Sequence, residues 1–266
     1  MARYQVVLAY DGTQFAGFQR LHSKGKVPKD RTVQGVFETA LSRLGWAGKS
    51  ILSAGRTDSG VHAAGQVVVF DLDWRHSSEE LCHALNAHLP ADVAARSVRV
   101  TADDFHPRYA ARARRYSYQI FCQANRDPLR ERYAWRVWPE VDAALMIEAA
   151  GMLVGERDFA AFGTPPRPGG STLRTVWQAR WVPWAQDPCQ PGLGGSGLRF
   201  EIVANAFLYH MVRRLVYIQV QIGQGRLELH ELAIAFSEGS LRLTGLAPAQ
   251  GLVLIEVSYN DEMFIS

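Results

Sequence analysis

Between residues 55 and 63 the chain reads Gly55-Arg56-Thr57-Asp58-Ser59-Gly60-Val61-His62-Ala63, with the apolar run Gly65-Gln66-Val67-Val68-Val69-Phe70 just behind it. A carboxylate beside a guanidinium, with hydroxyls on either side, stands between two glycines and directly before a β-branched strand. Glycines at such points let a loop turn sharply and let a ligand come close to the backbone. Asp58 is therefore a candidate for chemistry, while an Asx-capped turn is the commoner reason to find Asp beside Gly. A second group lies in Asn205-Ala206-Phe207-Leu208-Tyr209-His210-Met211-Val212-Arg213-Arg214. Read as a helix, it puts Tyr209 and Arg213 on one face and His210 and Arg214 on another. Phe207, Met211, Leu215 and Ile218 form its apolar stripe. Arg213 then sits at the stripe's edge, either paired, because burying a lone guanidinium is costly, or reaching out to solvent. A third group is the strand Arg114-Arg115-Tyr116-Ser117-Tyr118-Gln119-Ile120, whose alternation places Arg114, Tyr116, Tyr118 and Ile120 on one face. A tyrosine there serves as packing or as a platform for a base.

Other chemistries lack their usual signals. His62, His106 and His210 show no metal-ligand or zinc-deaminase spacing. Neither a GxxxxGK[ST] nor a GxGxxG pattern occurs, and no Ser or Cys sits in a nucleophile elbow. Three widely separated cysteines, Cys82, Cys122 and Cys189, make neither a CxxC nor an even disulfide set, which fits reduced thiols in a cytoplasm. Asp58 remains the best candidate for a catalytic group.

The elements that must position these residues follow from periodicity. Residues 4–10 read as a strand ended by Asp11-Gly12. Val33, Val36, Phe37, Ala40, Leu41 and Leu44 recur at helical spacing before Gly45. A short strand at 51–54 enters the Asp58 loop and one at 66–72 leaves it. Ser78 caps a helix through Leu81, Ala84 and Leu85, and 93–100 is a further strand. The second half repeats the order more loosely: strand 114–121, helix 143–153, strands 173–181 and 198–203, helix 206–222, an inserted helix near 231–236 and a last strand at 252–259. Two β-α-β-β-α-β runs predict an α+β protein of two ferredoxin-like halves, each an antiparallel sheet with helices on one face. The halves are residues 1–105, with the Asp58 loop, and 106–266, with the Tyr116 strand and the Arg213 helix. The Gly- and Pro-rich stretches at 165–170 and 185–197 are connectors, or, beside a site, clasps for a substrate.

Of the 266 residues, 47% are hydrophobic and 21% charged, enough for a substantial core and against disorder. The longest apolar runs are too short for a membrane span, and the start carries no signal-peptide h-region, so a cytoplasmic protein is expected. The net charge of +3 is uneven: residues 1–120 hold 16 Lys/Arg against 11 Asp/Glu, and 121–266 hold 13 against 15. Lys24, Lys26, Lys29 and Arg31 form one cluster, and Arg108, Arg112, Arg114 and Arg115 another, interleaved with Tyr109, Tyr116 and Tyr118. Each cluster alone reads equally as a solvated cationic face. Together they favour a nucleic acid, with cations neutralising phosphates and rings stacking on bases.

The residues from 54 to 63 resemble the signature loop of the tRNA pseudouridine synthase A family. The resemblance continues in order through Tyr10-Asp11-Gly12, Gly17-Phe18-Gln19-Arg20, Thr32-Val33-Gln34, Leu85-Asn86-Ala87-His88-Leu89-Pro90, Asp104-Phe105-His106-Pro107-Arg108 and Arg115-Tyr116-Ser117-Tyr118. Asp158-Phe159-Ala160-Ala161-Phe162, Arg174-Thr175 and 207–213 complete it, so that it spans roughly residues 4–259. It implies isomerisation of uridine to pseudouridine at positions 38, 39 and 40 in the tRNA anticodon stem-loop, by a homodimer without metal or cofactor. It further implies two ferredoxin-like halves flanking a basic cleft. Carried over by motif, Asp58 is the essential aspartate and Arg213 its ion-pair partner. Tyr116 contacts the target base, and Arg56 holds a phosphate or fills the stack left by the flipped nucleotide. His62, Arg20, Arg108, Arg114 and Arg115 are the further substrate-binding candidates. The rival readings are a tRNA-binding protein without turnover and an Asp-nucleophile hydrolase of a small molecule. Two departures stand out: Phe18 where the family usually has Trp, and Tyr217-Ile218 where it has small residues, a change that predicts crowding around the helix.

Overall fold

A computed structural model describes residues 1–20, 31–184, 197–241 and 245–260. Lys24, Lys26 and Lys29 lie outside the described residues, as does the Gly- and Pro-rich stretch at 185–196. The fold is mixed α+β with antiparallel pairing prevailing. It forms two compact units, Met1–Arg112 with Val253–Asn260, and Ala113–Leu252.

The first unit runs β1 (Ala2–Tyr10), α1 (Val33–Arg43), β2 (Leu52–Ser53), β3 (His62–Leu72), α2 (Ser78–His88) and β4 (Val93–Val100). The strand order is β4-β1-β3-β2, antiparallel throughout. Alternation along β1 buries Tyr4, Val6, Leu8 and Tyr10, each at most 5% exposed. Tyr4 stacks on Phe70 at 6.1 Å between ring centroids, and Phe37 of α1 meets Phe70 at 5.9 Å, which seats that helix on the sheet. Each such ring, fully buried, contributes roughly 1.5–3 kcal/mol. Thr32 caps α1 through the amide of Gly35. The expected cap of α2, Ser78, is instead its first helical residue. Ser77 is the cap, in a capping box with Glu80. Asn86 of α2 bonds both backbone groups of Ala95 at 2.8 Å, where the β1–β4 register shifts.

The last strand, β10 (Leu252–Ser258), comes from the far end of the sequence. It runs parallel to β3, with Val253 opposite His62 and Leu254 opposite Ala63, and Val253–Asn260 belong to the first unit. Local pattern identifies a strand but not its neighbour, which long-range hydrogen bonding selects.

The second unit contains β5 (Ala113–Cys122), β6 (Trp135–Val137), α3 (Ala143–Gly151), β7 (Gly155–Asp158), β8 (Leu173–Trp184), β9 (Gly197–Ala204), α4 (Met211–Gly223) and α5 (His230–Glu238). Its strand order is β5-β9-β8-β7, with β6 parallel on β5. Two of these strands carry no sequence signal: β6 is three residues long, and β7 is Gly-Glu-Arg-Asp, exposed over most of its length. Trp181 packs on Phe200 and donates to Gln219 Oε1 at 2.8 Å, pinning the buried α4 to the sheet. Phe159, Phe162 and Phe236 cluster, with centroids 5.0 to 6.0 Å apart, and fasten α5. α3 and α4 approach at Gly223, where a Cβ would stand 2.8 Å from Met146 Cγ. No helix among the described residues is long and apolar enough to cross a membrane.

Candidate active site

β2 leads into the Asp58 loop and β3 leads out, and the two strands pair at Leu52–Val69 and Ser53–Val68. At its base, the fully buried Gln66 donates to Gly55 O at 3.1 Å. The loop is then gripped by the segment that follows β1. Thr57 O accepts from Phe18 N at 3.0 Å, and Thr57 Oγ1 lies 2.8 Å from Tyr10 Oη. Phe15 O accepts from Gly60 N and from Ser59 Oγ. Beyond it, His62 Nδ1 accepts from Gly12 N at 3.0 Å. Two glycines permit the approach. A Cβ on Gly12 would stand 2.1 Å from Val61 O, and Gly17 holds φ +116° against Thr57 O. Both residues flanking Asp58 are thus tied to the protein, Thr57 is buried, and Asp58 itself is half-buried. The family-like stretches Tyr10-Asp11-Gly12 and Gly17-Phe18 act here as scaffold for the Asp58 backbone. Phe18, 2% exposed, packs its smaller ring against Tyr10 at 6.3 Å.

The candidates of the first unit differ in what they can offer. Arg56 is exposed on the same loop. His62 is 4% exposed and spends Nδ1 on Gly12, so in this structure it anchors the loop rather than presenting a ring to solvent. Arg20 Nη1 lies 3.1 Å from Glu38 Oε2 on a carboxylate only 6% exposed. Glu38 Oε1 also accepts from Gln34 Nε2 and from Ile51 N, which ties α1 to the strand that enters the loop. Gln34 and Glu38 went unnoticed as site supports because they lie on a helix face that looks merely polar in sequence. Arg108 is exposed beside Tyr109, which is 72% exposed, on a segment secured by Tyr259 Oη to Pro107 O at 3.0 Å.

In the second unit, β5 puts Arg114, Tyr116 and Tyr118 on one face and Arg115 on the other. Arg114 Nη1 donates to Asn205 O at 2.6 Å. Tyr116 is half-buried, with Phe207 edge-on to its ring at 5.0 Å and 85°. Tyr118 is fully buried, and burial pushes its phenol well above the ordinary range against the opposing pull of Arg213. Arg213 is half-buried on the first turn of α4, and its Nε donates to Ala247 O at 2.7 Å.

The expected helix over 206–222 begins only at Met211. His210 is left-handed at φ +66°, and Tyr209 forms a backbone bridge with Thr164. The faces expected to join Tyr209 to Arg213 and His210 to Arg214 therefore do not form. Phe207 leaves the helical stripe to meet Tyr116, whereas Met211, Leu215 and Ile218 stay buried. Strand-like pairing and an αL turn override helix propensity here, because the hydrogen bonds to Thr164 outweigh a few tenths of a kcal/mol per residue. Asn205 fixes the preceding turn: it accepts from Thr175 N and Ala206 N at its side chain and donates its own N–H to Thr175 O. Tyr217 is stacked on Trp135 at 9° and faces Gly245, where a Cβ would lie 2.1 Å from its ring. Among the described residues no group of three or more His, Cys, Asp or Glu is placed to hold a metal ion.

Comparison with known proteins bears on the whole chain. The family model described as tRNA pseudouridine synthase matches residues 6–110 and 149–260. A tRNA pseudouridine synthase A of Geobacillus kaustophilus is 37% identical over 99% of this chain and 96% of its own length. Relatives of the same name from Leuconostoc citreum and Solidesulfovibrio magneticus are 36% and 38% identical, covering 98% and 97% of this chain and 98% and 92% of theirs. The matched stretches include the clamped Asp58 loop, and identity of this extent and coverage shows common family: the chain belongs to the tRNA pseudouridine synthases, isomerases that act on tRNA.

Proposed function

We propose that the protein isomerises uridine to pseudouridine at positions 38, 39 and 40 of the tRNA anticodon stem-loop, with Asp58 acting at the ribose C1′. The observation that carries this reading is the Asp58 loop: a half-buried carboxylate whose flanking residues are bonded to a second segment, inside a family-matched stretch. The reaction breaks N1–C1′, turns the uracil, joins C5 to C1′, releases the C5 proton and protonates N1, so that the product is an isomer of the substrate. Asp58 either attacks C1′ covalently or stabilises positive charge there while C2′ loses a proton towards a glycal. Both routes need the carboxylate ionised, and pairing with Arg213 would keep it so. Tyr116 would stack on the uracil or assist loss of the C5 proton. Arg56 would hold a phosphate or fill the stack after the nucleotide leaves the stem. Arg20, Arg108, Arg114 and Arg115 would contact the RNA, with His62 fixing the loop.

In this reading the first half supplies Asp58, the second supplies Tyr116 and Arg213, and each half is ferredoxin-like beside a basic cleft. The β4-β1-β3-β2 order supports it in the first unit, and the β5-β9-β8 order, first-third-second, supports it in the second. A cytoplasmic homodimer that needs neither metal nor cofactor completes the reading on the strength of the family resemblance. The test is an unmodified tRNA transcript with uridines at 38 to 40, mapped by carbodiimide labelling and primer extension. Stops at those positions with the wild type and none with Asp58→Ala are expected. Equal product from both would sink the role of Asp58, and product elsewhere in the tRNA would sink the site.

A further inference from the structure

We propose that Tyr118 is a positioning residue for Arg213, acting through the backbone of residues 245–251; this rests on the reading that Arg213 serves the reaction. The Tyr118 hydroxyl donates to Pro248 O at 2.7 Å from a side chain that is fully buried. Its ring fills the space that Gly251 leaves open, where a Cβ would stand 2.5 Å from Cζ. One residue before Pro248, the fully buried Ala247 holds Arg213 at both ends. Ala247 O accepts from Arg213 Nε at 2.7 Å, and Ala247 N donates to Arg213 O at 3.2 Å. A guanidinium bonded through Nε has its plane set by that carbonyl, and the direction of its Nη edge follows. At the start of the segment, Gly245 lies against the Tyr217 ring, itself stacked on Trp135. The segment thus touches a tyrosine at each end and carries the arginine in its middle.

The chemistry favours the hydroxyl as the control point. Pro248 has no N–H with which to secure itself, and a buried phenol that lost its acceptor would be left unsatisfied. Removing the hydroxyl alone keeps the ring, and with it the packing at Gly251, but frees the Pro248 carbonyl and lets Ala247 drift. Misplacement of a paired charge by a fraction of an ångström appears in the chemical step and not in tRNA affinity.

The experiment is a double-mutant cycle on the full chain, read as single-turnover release of tritium from C5-labelled uridine in tRNA, with tRNA Kd and thermal melting alongside. Tyr118→Phe should slow the chemical step about 3–10-fold, in line with one lost hydrogen bond, and leave Kd unchanged. In an Arg213→Ala background the same substitution should have no further effect, because its route runs through the arginine. Additive losses, or a lowered melting temperature with an unchanged rate constant, would overturn the positioning role while leaving Arg213 in the reaction. A wild-type rate for Arg213→Ala would remove Arg213 from the reaction, and the proposal with it.

Discussion

Arg3 and Asp71 face each other across β1 and β3 and form a two-pronged pair, Nε to Oδ1 at 2.7 Å and Nη2 to Oδ2 at 3.0 Å. The hydrogen bonds from Arg3 hold the Asp71 carboxyl below its usual range, against the opposing effect of burial. A carboxylate whose folded pKa is depressed adds stability above its unfolded pKa, near 3.9, and loses it as pH falls through the lower folded value. The Asp71 side chain is 41% exposed, so solvent screening limits the contribution to about 0.2–1 kcal/mol. Asp71→Asn should therefore melt up to about 2–4 °C below wild type at pH 7, and the gap should close as the pH is taken below about 4. A gap that persists undiminished at pH 3 would assign it to packing. The same scale describes the arginines: Arg56 and Arg108 are exposed, Arg20 pairs with Glu38, Arg114 donates to Asn205 O, and Arg213 donates to Ala247 O.

Elements matter here for the backbone they bring together. The turn after β1 and the loop before β3 are locked at Gly12, so a methyl group at that point has no room beside the Val61 carbonyl. Gly12→Ala should cost roughly 1–3 kcal/mol in unfolding free energy and displace the Asp58 loop, lowering the rate of modification while tRNA affinity holds. Gly151→Ala is the matched control. Nothing lies within 4 Å of a Cβ there, and the residue closes α3, so it should be neutral or stabilising by up to about 1 kcal/mol. Chemical denaturation of both variants, with the modification assay, checks the pair; equal stability would refute the clash. The boundaries of β1, α1, α2 and β4 were legible to within three residues, because period-2 and period-3.6 burial, with Thr32 and the Ser77–Glu80 box, act locally. The start of α4 was not, because a bridge to Thr164, more than forty residues away, decides it.

At the scale of the molecule, charge is the property most directly tested. The excess of cations lies in residues 1–120, and Arg108 stands exposed there beside an exposed tyrosine. Binding of tRNA should weaken steeply with salt, as released counterions require. Arg108→Ala should reduce the slope of log K against log salt by about one, the signature of one lost phosphate contact. An unchanged slope with unchanged affinity would take Arg108 out of the interface. Distance along the chain also acts at this scale: β10 comes some 150 residues after β4 and lies along β3, the strand that leaves the Asp58 loop, so the first unit draws on two widely separated segments.

Sequence alone was enough for the family, the candidate Asp58 loop and the order of the longer elements. Each is written in contiguous residues: Gly-Arg-Thr-Asp-Ser-Gly before a β-branched strand, apolar periodicity, caps and glycine stops. Tertiary structure alone decided what holds that chemistry in place. It made Gly12 and Gly17 the points of close approach to the Asp58 loop, and set the buried His62 ring against the Gly12 amide. It started the helix only after Phe207, and brought the Ala247 carbonyl to Arg213 and the Pro248 carbonyl to Tyr118. These contacts tie side chains to backbone groups far away along the chain. A peptide carbonyl is the same in every residue, so no side-chain pattern records which one a distant donor will reach; only the packed fold selects it.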